Sequence, residues 1–238
     1  MANSIEGTIG RLNIDTSSDI FSKEKLVNEF ARITQFMTWP LLGVIFSIFF
    51  KLEIHGSEAF KKVQGPILII ANHVSFYDSF AFRLILGFRT DHLPLRFMAV
   101  NTFESEIMNI LARIGLIDFI YSLFGVFTIT PGLGIEKNIK KAKDIISLGG
   151  NVVIYPEGSI SRIGQIGQFK NGASVLFKQT EVNVIPVSFK KFKTNNLRPK
   201  IIVNVGNPII ISRKNTVENT TRIFRDKIVE LYESTNQE

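Results

Sequence analysis

The sequence predicts an α/β fold: a mostly parallel central sheet flanked by helices, with an N-terminal membrane-associated helical segment. Short apolar runs of strand length alternate with segments whose apolar residues recur at helical spacing, an order typical of a parallel sheet covered on both faces. Of the 238 residues, 45% are hydrophobic, which is enough for one substantial core. Two of the apolar runs end in polar loops, and ligands of such sheets bind at the carboxyl ends of strands.

The N-terminal segment, residues 1–52, is expected to anchor the protein to a membrane. Its first predicted helix, residues 23–35, places Leu26, Phe30 and Ile33 at helical spacing, with Ser22 as the N-cap. No basic segment followed directly by an apolar run marks a secretory signal. We therefore expect the protein to be membrane-associated at the cytoplasmic face.

An apolar run, residues 36–50, follows this amphipathic segment. As a helix it would extend about 22 Å, which is shorter than the roughly 30 Å hydrocarbon core of a bilayer. Its length favours a pair of helices lying in the membrane surface, with Trp39 at the level of the headgroups, over a full span. The alternative is a helix buried against the main domain.

The main domain, residues 53–238, carries the alternating elements. Strands are predicted at 67–71, 96–100, 125–129, 152–155, 182–189 and 201–205. Helices are predicted at 77–86, 105–114, from Thr130-Pro131 to a stop at Gly149-Gly150, and at 172–178 and 217–232.

The first polar loop reads Asn72-His73-Val74-Ser75-Phe76-Tyr77-Asp78 and follows strand 67–71. A neutral imidazole takes a proton from an alcohol near pH 7, and a carboxylate on its other nitrogen fixes the tautomer and raises its basicity. His73 is thus a candidate general base with Asp78 as its partner. For an isolated motif the simpler reading is that His73 binds a loop carbonyl while Asp78 charges the first helical turn, so a second motif must support it.

The second polar loop supplies that support and follows strand 152–155. It reads Pro156-Glu157-Gly158-Ser159-Ile160-Ser161-Arg162 and is followed by Phe169-Lys170-Asn171-Gly172. A glycine lets the backbone approach a ligand, while carboxylate, hydroxyl and guanidinium groups make directional contacts to a polyol or phosphate. A surface turn is the alternative for this loop.

Together with Val184-Ile185-Pro186-Val187, these blocks resemble the glycerolipid acyltransferase family typified by 1-acylglycerol-3-phosphate acyltransferase, over about residues 54–210. The resemblance implies that His73 and Asp78 are the catalytic pair. The expected substrate-binding residues are Asn72, Ser75, Glu157, Gly158, Ser159, Arg162 and Lys170.

The implied reaction moves a fatty acyl group from acyl-CoA or acyl carrier protein to a hydroxyl of a lysoglycerolipid, with 1-acylglycerol-3-phosphate, giving phosphatidate, as the favoured acceptor. Backbone N–H groups of Val74 and Ser75 are expected to stabilise the oxyanion. No cofactor and no metal are expected, because the chain has no cysteine and its three histidines lack zinc-site spacing. No Gly-x-Ser-x-Gly elbow appears, so direct attack by the acceptor is favoured over an acyl-enzyme.

Two departures from the family pattern concern the acceptor. The family usually has a lysine in the strand after the first helix and an arginine after a Gly-x-x-Phe run, but residues 97–101 and 125–131 carry no cation. Either Arg96, Arg162 or Lys170 replaces them, or the acceptor carries less charge. A catalytically inactive lipid-binding relative is the further alternative.

The net charge is +7; the first 35 residues hold five acids and four bases, so the remaining 203 residues carry +8. Basic residues between 190 and 214 suit an anionic membrane or a phosphate-bearing acyl carrier, with a solvated lysine-rich face as the alternative. Aromatic and basic residues are not interleaved there, so no nucleic-acid partner is expected.

Overall fold

The computed structural model describes residues 15–88, 90–100, 114–130, 132–161, 165–192, 198–212 and 214–235. Its strands are β1 (Lys51–His55), β2 (Ile67–Ala71), β3 (Leu95–Val100), β4 (Val126–Ile129), β5 (Asn151–Ile154), β6 (Asn183–Phe192) and β7 (Lys200–Val205). Its helices are α1 (Asp15–Phe49), α2 (Asp78–Ile85), α3 (Leu116–Leu123), α4 (Ile135–Ser147), α5 (Gly172–Thr180) and α6 (Val217–Ser234), with a 3₁₀ turn at Ser57–Lys62.

These strands form one sheet in the order β1-β7-β6-β2-β5-β3-β4. Neighbouring strands are parallel except β6 and β7, which pair antiparallel. The mostly parallel α/β fold predicted from the alternation is therefore confirmed. Because β5 lies directly beside β2, the loops that follow these two strands meet at the same edge of the sheet.

The side chains of β2 show how the sheet divides the core into two layers. Ile67, Ile69 and Ala71 pack on one face with α1 and α2, and Leu68 and Ile70 pack on the other with α4, α5 and α6. All five are fully buried. A strand covered on both faces is expected to be apolar throughout, as this one is.

Two element boundaries differ from the sequence-based prediction. Strand β1 is not predicted by the sequence; it is an edge strand paired with β7, and the predicted domain boundary at 52 and 53 falls inside it. Helix α4 begins at Ile135 and not at Thr130, because Gly132 and Gly134 have φ near +87° and +85°, outside the helical region. The predicted helix 105–114 lies outside the described residues, apart from its last position.

The N-terminal segment forms one continuous helix where two were predicted. Helix α1 runs from Asp15 to Phe49 and contains Pro40, and the predicted cap Ser22 lies within it. Pro40 removes one backbone hydrogen bond, but contacts with the domain on both sides of it support the helix. Within the described part of the chain, residues Ser22–Phe49 are long and apolar enough to cross a membrane by length and composition.

The amphipathic character of α1 is inverted relative to a helix on the surface of a soluble protein. Its buried stripe carries the polar residues Asn28 and Gln35, whereas the predicted apolar stripe of Leu26, Phe30 and Ile33 is exposed. Soluble proteins place the apolar stripe toward the core. The outer face of α1 therefore exposes an apolar stripe beside the charged pair Glu29 and Arg32.

Gln35 fastens α1 to the end of β3. Its amide donates to the carbonyls of Leu95 (2.8 Å) and Phe124 (3.0 Å) and accepts from the N–H of Leu95 (2.9 Å). Arg83 of α2 adds a bond from Nε to the Gln35 carbonyl (2.7 Å). Since these contacts connect residues 48 to 89 positions apart in the chain, no local sequence pattern predicts them.

Candidate active site

The His73 and Asp78 side chains meet at the carboxyl end of β2. His73 Nδ1 lies 3.0 Å from Oδ2 of Asp78, the first residue of α2, whose side chain is 1% exposed. An ionised carboxylate accepts but does not donate, so Nδ1 carries the proton and Nε2 of the neutral ring has a free lone pair. No described residue binds Nε2. The predicted base and carboxylate are thus brought together.

The same carboxylate holds the loop that precedes it. Oδ2 of Asp78 accepts the backbone N–H of Val74 (2.8 Å) and of Ser75 (2.9 Å), and Oδ1 accepts the Ser75 hydroxyl (2.8 Å). The N–H groups expected to stabilise an oxyanion are therefore already occupied by Asp78. Substrate contact by Ser75 requires these bonds to open.

Tyr155, at the end of β5, stacks on the imidazole of His73. The two ring centroids are 4.0 Å apart with planes inclined by 16°, and the Tyr155 hydroxyl lies 3.0 Å from the Ser79 hydroxyl. Burial raises the pKa of Tyr155, and the charge of Asp78 adds to this shift, so the phenol stays neutral. The ring of His73 is fixed by Asp78 at its edge and by Tyr155 on its face. Tyr155 is not among the site residues predicted from the sequence, although it stands directly before the second motif.

Glu157 joins the two motif loops. Its Oε1 accepts the backbone N–H of His73 (3.0 Å) and its Oε2 accepts that of Gly167 (2.8 Å). Glu157 is buried, and Arg225 of α6 supports the same segment by donating to the carbonyls of Gly167 (3.0 Å) and Ile166 (3.2 Å). With both oxygens hydrogen-bonded, Glu157 positions the loop that carries His73.

Asn72 has a similar positioning contact on the opposite side of His73. Its side-chain amide donates to the carbonyl of Phe189 (2.9 Å) and accepts the Phe189 N–H (2.8 Å), which extends the pairing of β2 with β6 by one step. The carbonyl of His73 accepts the N–H of Ser161 (2.7 Å). The Asn72-His73 segment is therefore held by β6, by the second motif loop and by Asp78 of α2.

Gly158, Ser159 and Lys170 lie on the solvent side of this arrangement. Gly158 has φ +72°, and a Cβ built there would stand 2.6 Å from Lys170 Nζ, so the ammonium group lies directly over the glycine. Lys170 is also tied to the loop through its backbone N–H, which donates to the Pro156 carbonyl (2.8 Å). Gly158 and Ser159 line the cavity described below. Arg162 lies outside the described residues.

Arg96 is not available to a ligand in this arrangement. It is 1% exposed and donates to the Gly125 carbonyl (3.1 Å), to Glu24 Oε2 (3.2 Å) and to the Asn28 side chain. Burial lowers the pKa of Arg96, and Glu24 opposes that shift. Arg96 therefore secures α1 to β3, and of the three cations considered from the sequence, Lys170 is the described one that lies beside the second motif loop, next to Gly158.

A cavity of about 620 Å³ opens beside His73 and runs along β3. It is lined by every residue of that strand except Arg96, from Val100 near the site to Leu95 beside Gln35, a path of about 16 Å at the rise of a strand. Residues of α1, α2 and α3 complete the wall. They include Leu42 and Phe80 beside the polar Thr38 and Ser79, and the surface of the cavity is mostly apolar. Its volume falls in the range of small-molecule sites, and its apolar lining suits a hydrocarbon chain.

Metal-ligand clusters of three or more His, Cys, Asp or Glu side chains do not occur among the described residues.

Comparisons with known proteins identify the family of this chain. The family model described as Acyltransferase matches residues 51–190, which include both motif loops. The chain is 27% identical over 172 residues to the chloroplastic 1-acyl-sn-glycerol-3-phosphate acyltransferase LPAT1 of Arabidopsis thaliana, covering 70% of this chain and 44% of that protein. It is 27% identical over 202 residues to the 1-acyl-sn-glycerol-3-phosphate acyltransferase of Borreliella burgdorferi, covering 77% and 72%. The chain thus spans less than half the length of the plant relative.

The crystal structure of the 1-acyl-sn-glycerophosphate acyltransferase PlsC from Thermotoga maritima has the same fold, with a TM-score of 0.50, 19% identity, and coverage of 87% of this chain and 79% of that one. The family match covers more than half of the present sequence and includes the paired His73 and Asp78. This chain therefore belongs to the acyltransferase family.

Proposed function

We propose that this protein transfers a fatty acyl group from an acyl thioester to a hydroxyl of a lysoglycerolipid at a membrane surface, with 1-acylglycerol-3-phosphate as acceptor and phosphatidate as product. The observation that carries the proposal is the position of His73: its Nδ1 is held by Asp78, and its ring lines the apolar cavity. The proposal is supported by the relatives, which are named as acyltransferases for this acceptor.

In the proposed mechanism, Nε2 of His73 takes the proton of the acceptor hydroxyl as that oxygen attacks the thioester carbonyl. The tetrahedral intermediate collapses to the new ester and a thiolate, which takes the proton from the imidazolium. Asp78 stabilises the imidazolium while it exists. A thiol has a pKa near 8.5, so the leaving group needs little acid assistance. No cofactor takes part, and acyl-CoA or acyl carrier protein is the donor.

The cavity along β3 is proposed to hold the acyl chain. Both His73 and Gln35 line it, and the thioester carbonyl would stand beside His73. A chain in this cavity exchanges water for apolar side chains, which stabilises it by about 0.8 kcal/mol for each buried methylene group. Because α1 supplies part of the wall, the proposed anchor and the proposed acyl site share one helix.

The inverted helix α1 supports the proposed membrane association. Its outer face exposes large apolar side chains over its length, among them Met37, Leu41, Val44, Ile48 and Phe49. Its inner face contacts the domain from Asn28 to Phe50, so the helix is more compatible with lying in the membrane surface than with crossing it. We place the protein at the cytoplasmic face, where soluble acyl donors are found.

The stack of Tyr155 on His73 yields a first prediction. Tyr155→Phe keeps the stacked ring and should retain turnover within about twofold, whereas Tyr155→Leu fills similar volume without a planar face. We expect the leucine variant to lose about tenfold in kcat with little change in KM for the donor, because a misaligned base is costly even when the substrate binds. Steady-state kinetics of both variants would measure kcat and KM, and thermal unfolding would show whether both remain folded. Equal kcat values for the two variants would contradict a positioning role for the ring.

Lys170 is the proposed contact for the phosphate of the acceptor. It lies over Gly158, which lines the cavity, and a hydrogen bond to a charged group contributes about 1.5 to 3 kcal/mol. An acceptor with less charge is the second candidate, favoured by the missing lysine of β3 and by the burial of Arg96.

Acceptor choice distinguishes these two candidates. Purified protein is incubated with labelled acyl-CoA and a panel of phosphate-bearing and neutral lysolipids, and the products are identified by mass spectrometry. We expect more phosphatidate than acylated neutral lipid. Lys170→Met should lower kcat/KM for the phosphate-bearing acceptor by ten- to a hundredfold and leave a neutral acceptor within twofold. Lys227→Met, which removes an exposed charge paired with Glu230, is the matched control. Strict preference for neutral acceptors would replace the phosphate-bearing assignment, and no turnover of any acceptor would reject acyl transfer.

A further inference from the structure

We infer that α3 and the tip of the loop before α2 form a second membrane contact beside α1, so that the cavity mouth opens within the bilayer. The mouth surface consists of Phe76 in that loop and of Ile114, Leu116, Phe119 and Ile120 in and just before α3. All five side chains are exposed. The inference rests on the membrane association proposed above and extends it to a different part of the chain.

Helix α3 is apolar on its inner and outer sides. Ile117 is buried against the domain, whereas Phe119 is 61% exposed, with Leu116 and Ile120 also exposed and Ile114, just before the helix, 69% exposed. The helix also contains Asp118, Tyr121 and Ser122, but Leu116, Phe119 and Ile120 share one face by their i, i+3 and i+4 spacing. Clustered large apolar side chains of this kind mark an interaction site, whereas a single exposed residue does not.

The mouth surface is continuous with α1. A series of ring contacts with centroid separations of 5.1 to 6.3 Å leads from the end of α1 through the loop and α2 to the residue after α3: Phe46, Phe50, Tyr77, Phe76, Phe80 and Phe124. Both elements also border the cavity, Leu42 from α1 and Ile120 from α3. The two exposed apolar surfaces therefore belong to helices that both form walls of the cavity.

A lipid bilayer fits this surface better than a folded protein does. A rigid partner seated on α1 and α3 would cover two walls of the cavity that is proposed to receive the acyl chain. Fluid hydrocarbon covers both helices and supplies the chain at the same time. Inserted phenylalanine and leucine side chains with a polar site above them are the arrangement expected of an interfacial enzyme.

Fluorescence quenching by lipids brominated on their acyl chains tests the position directly. The chain has a single tryptophan, Trp39 in α1, so Trp39→Phe combined with Phe119→Trp moves the probe to α3. The matched control combines Trp39→Phe with Ile210→Trp, because Ile210 is 98% exposed but neighbours Ile209, which packs with the core layer opposite α1. We expect quenching at position 119 close to that of Trp39 in the unmodified chain, and little at 210.

A kinetic arm measures the consequence for catalysis. Phe119→Glu combined with Ile114→Glu should lower the ratio of turnover on vesicle-borne acceptor to turnover on a monomeric short-chain acceptor about tenfold, and Ile210→Glu should leave that ratio unchanged. Three results would each overturn the inference. They are quenching of Trp39 without quenching at 119, equal quenching at 119 and 210, and an unchanged ratio of vesicle to monomer turnover in the double glutamate variant. Absence of acyl transfer in the unmodified protein, with quenching intact at 119, would instead reject the proposed function and leave this surface standing.

Discussion

Replacement of His73 by alanine should lower kcat by about 10² to 10⁴, the range that general-base assistance contributes. Binding of the acyl donor should change little, because the cavity wall along β3 is untouched. The loop should also persist, since Asp78 still accepts the N–H groups of Val74 and Ser75. The effect is therefore expected in the chemical step and not in stability.

Thiolate release from acyl-CoA in a single turnover, followed with a free-thiol reagent, measures that step without interference from product release. His55→Ala is the matched control, because His55 is an exposed histidine at the end of β1. The control should match the unmodified protein in turnover, and both variants should unfold within a few degrees of it. Near-normal turnover of His73→Ala with a lysolipid acceptor would show that another group takes the proton.

Replacement of Asp78, the carboxylate that binds His73, is a less specific experiment, because it changes hydrogen bonds as well as charge. Asp78→Asn removes one acceptor from a side chain that contacts three groups of the loop in addition to the imidazole. Its phenotype therefore combines a changed tautomer with a disturbed loop. His73→Ala is the cleaner test of proton transfer for this reason.

The sequence was sufficient to predict the parts of the fold that depend on local patterns. Strand β2 is an uninterrupted apolar run with a polar loop after it, and both motifs fall at the carboxyl ends of neighbouring strands as predicted. Helical spacing located α4 and α6 within a few residues. Edge strand β1 contains only two apolar residues, Leu52 and Ile54, which alternate with polar ones. This short alternation was not recognised as a strand because it directly follows the long apolar run 36–50.

Contacts between distant parts of the chain could not be predicted in this way. Gln35 and Arg96 look like surface residues in their own segments, yet both are buried because they bind groups many residues away. The apolar stripe of α1 was recognised, but periodicity does not tell which face a helix turns to its own domain. Similarly, the motif pattern assigns Glu157 to the site, whereas its bonding partners are backbone groups of two different loops.

Glu157 provides the second large expected effect, because its carboxylate accepts two backbone N–H groups in a buried position. In Glu157→Gln one oxygen becomes an NH₂ donor facing an N–H donor, so one bond is lost and a repulsive contact replaces it. A buried donor without an acceptor costs about 1 to 3 kcal/mol, which in a chain of this size lowers the Tm by several degrees. Because one of the two N–H groups belongs to His73, we expect kcat to fall at least tenfold for every acceptor.

The pattern across acceptors separates positioning from direct substrate binding. A residue that holds the acceptor would raise KM for that acceptor when replaced and leave donor thioester hydrolysis unchanged, whereas displacement of the His73 loop lowers kcat for all acceptors and for hydrolysis together. Glu230→Gln, an exposed residue paired with Lys227, controls for loss of one negative charge. An increase in acceptor KM with unaltered kcat and Tm in Glu157→Gln would contradict the positioning role. It would show that the His73 loop is stable without the Glu157 carboxylate, and that this carboxylate binds substrate instead.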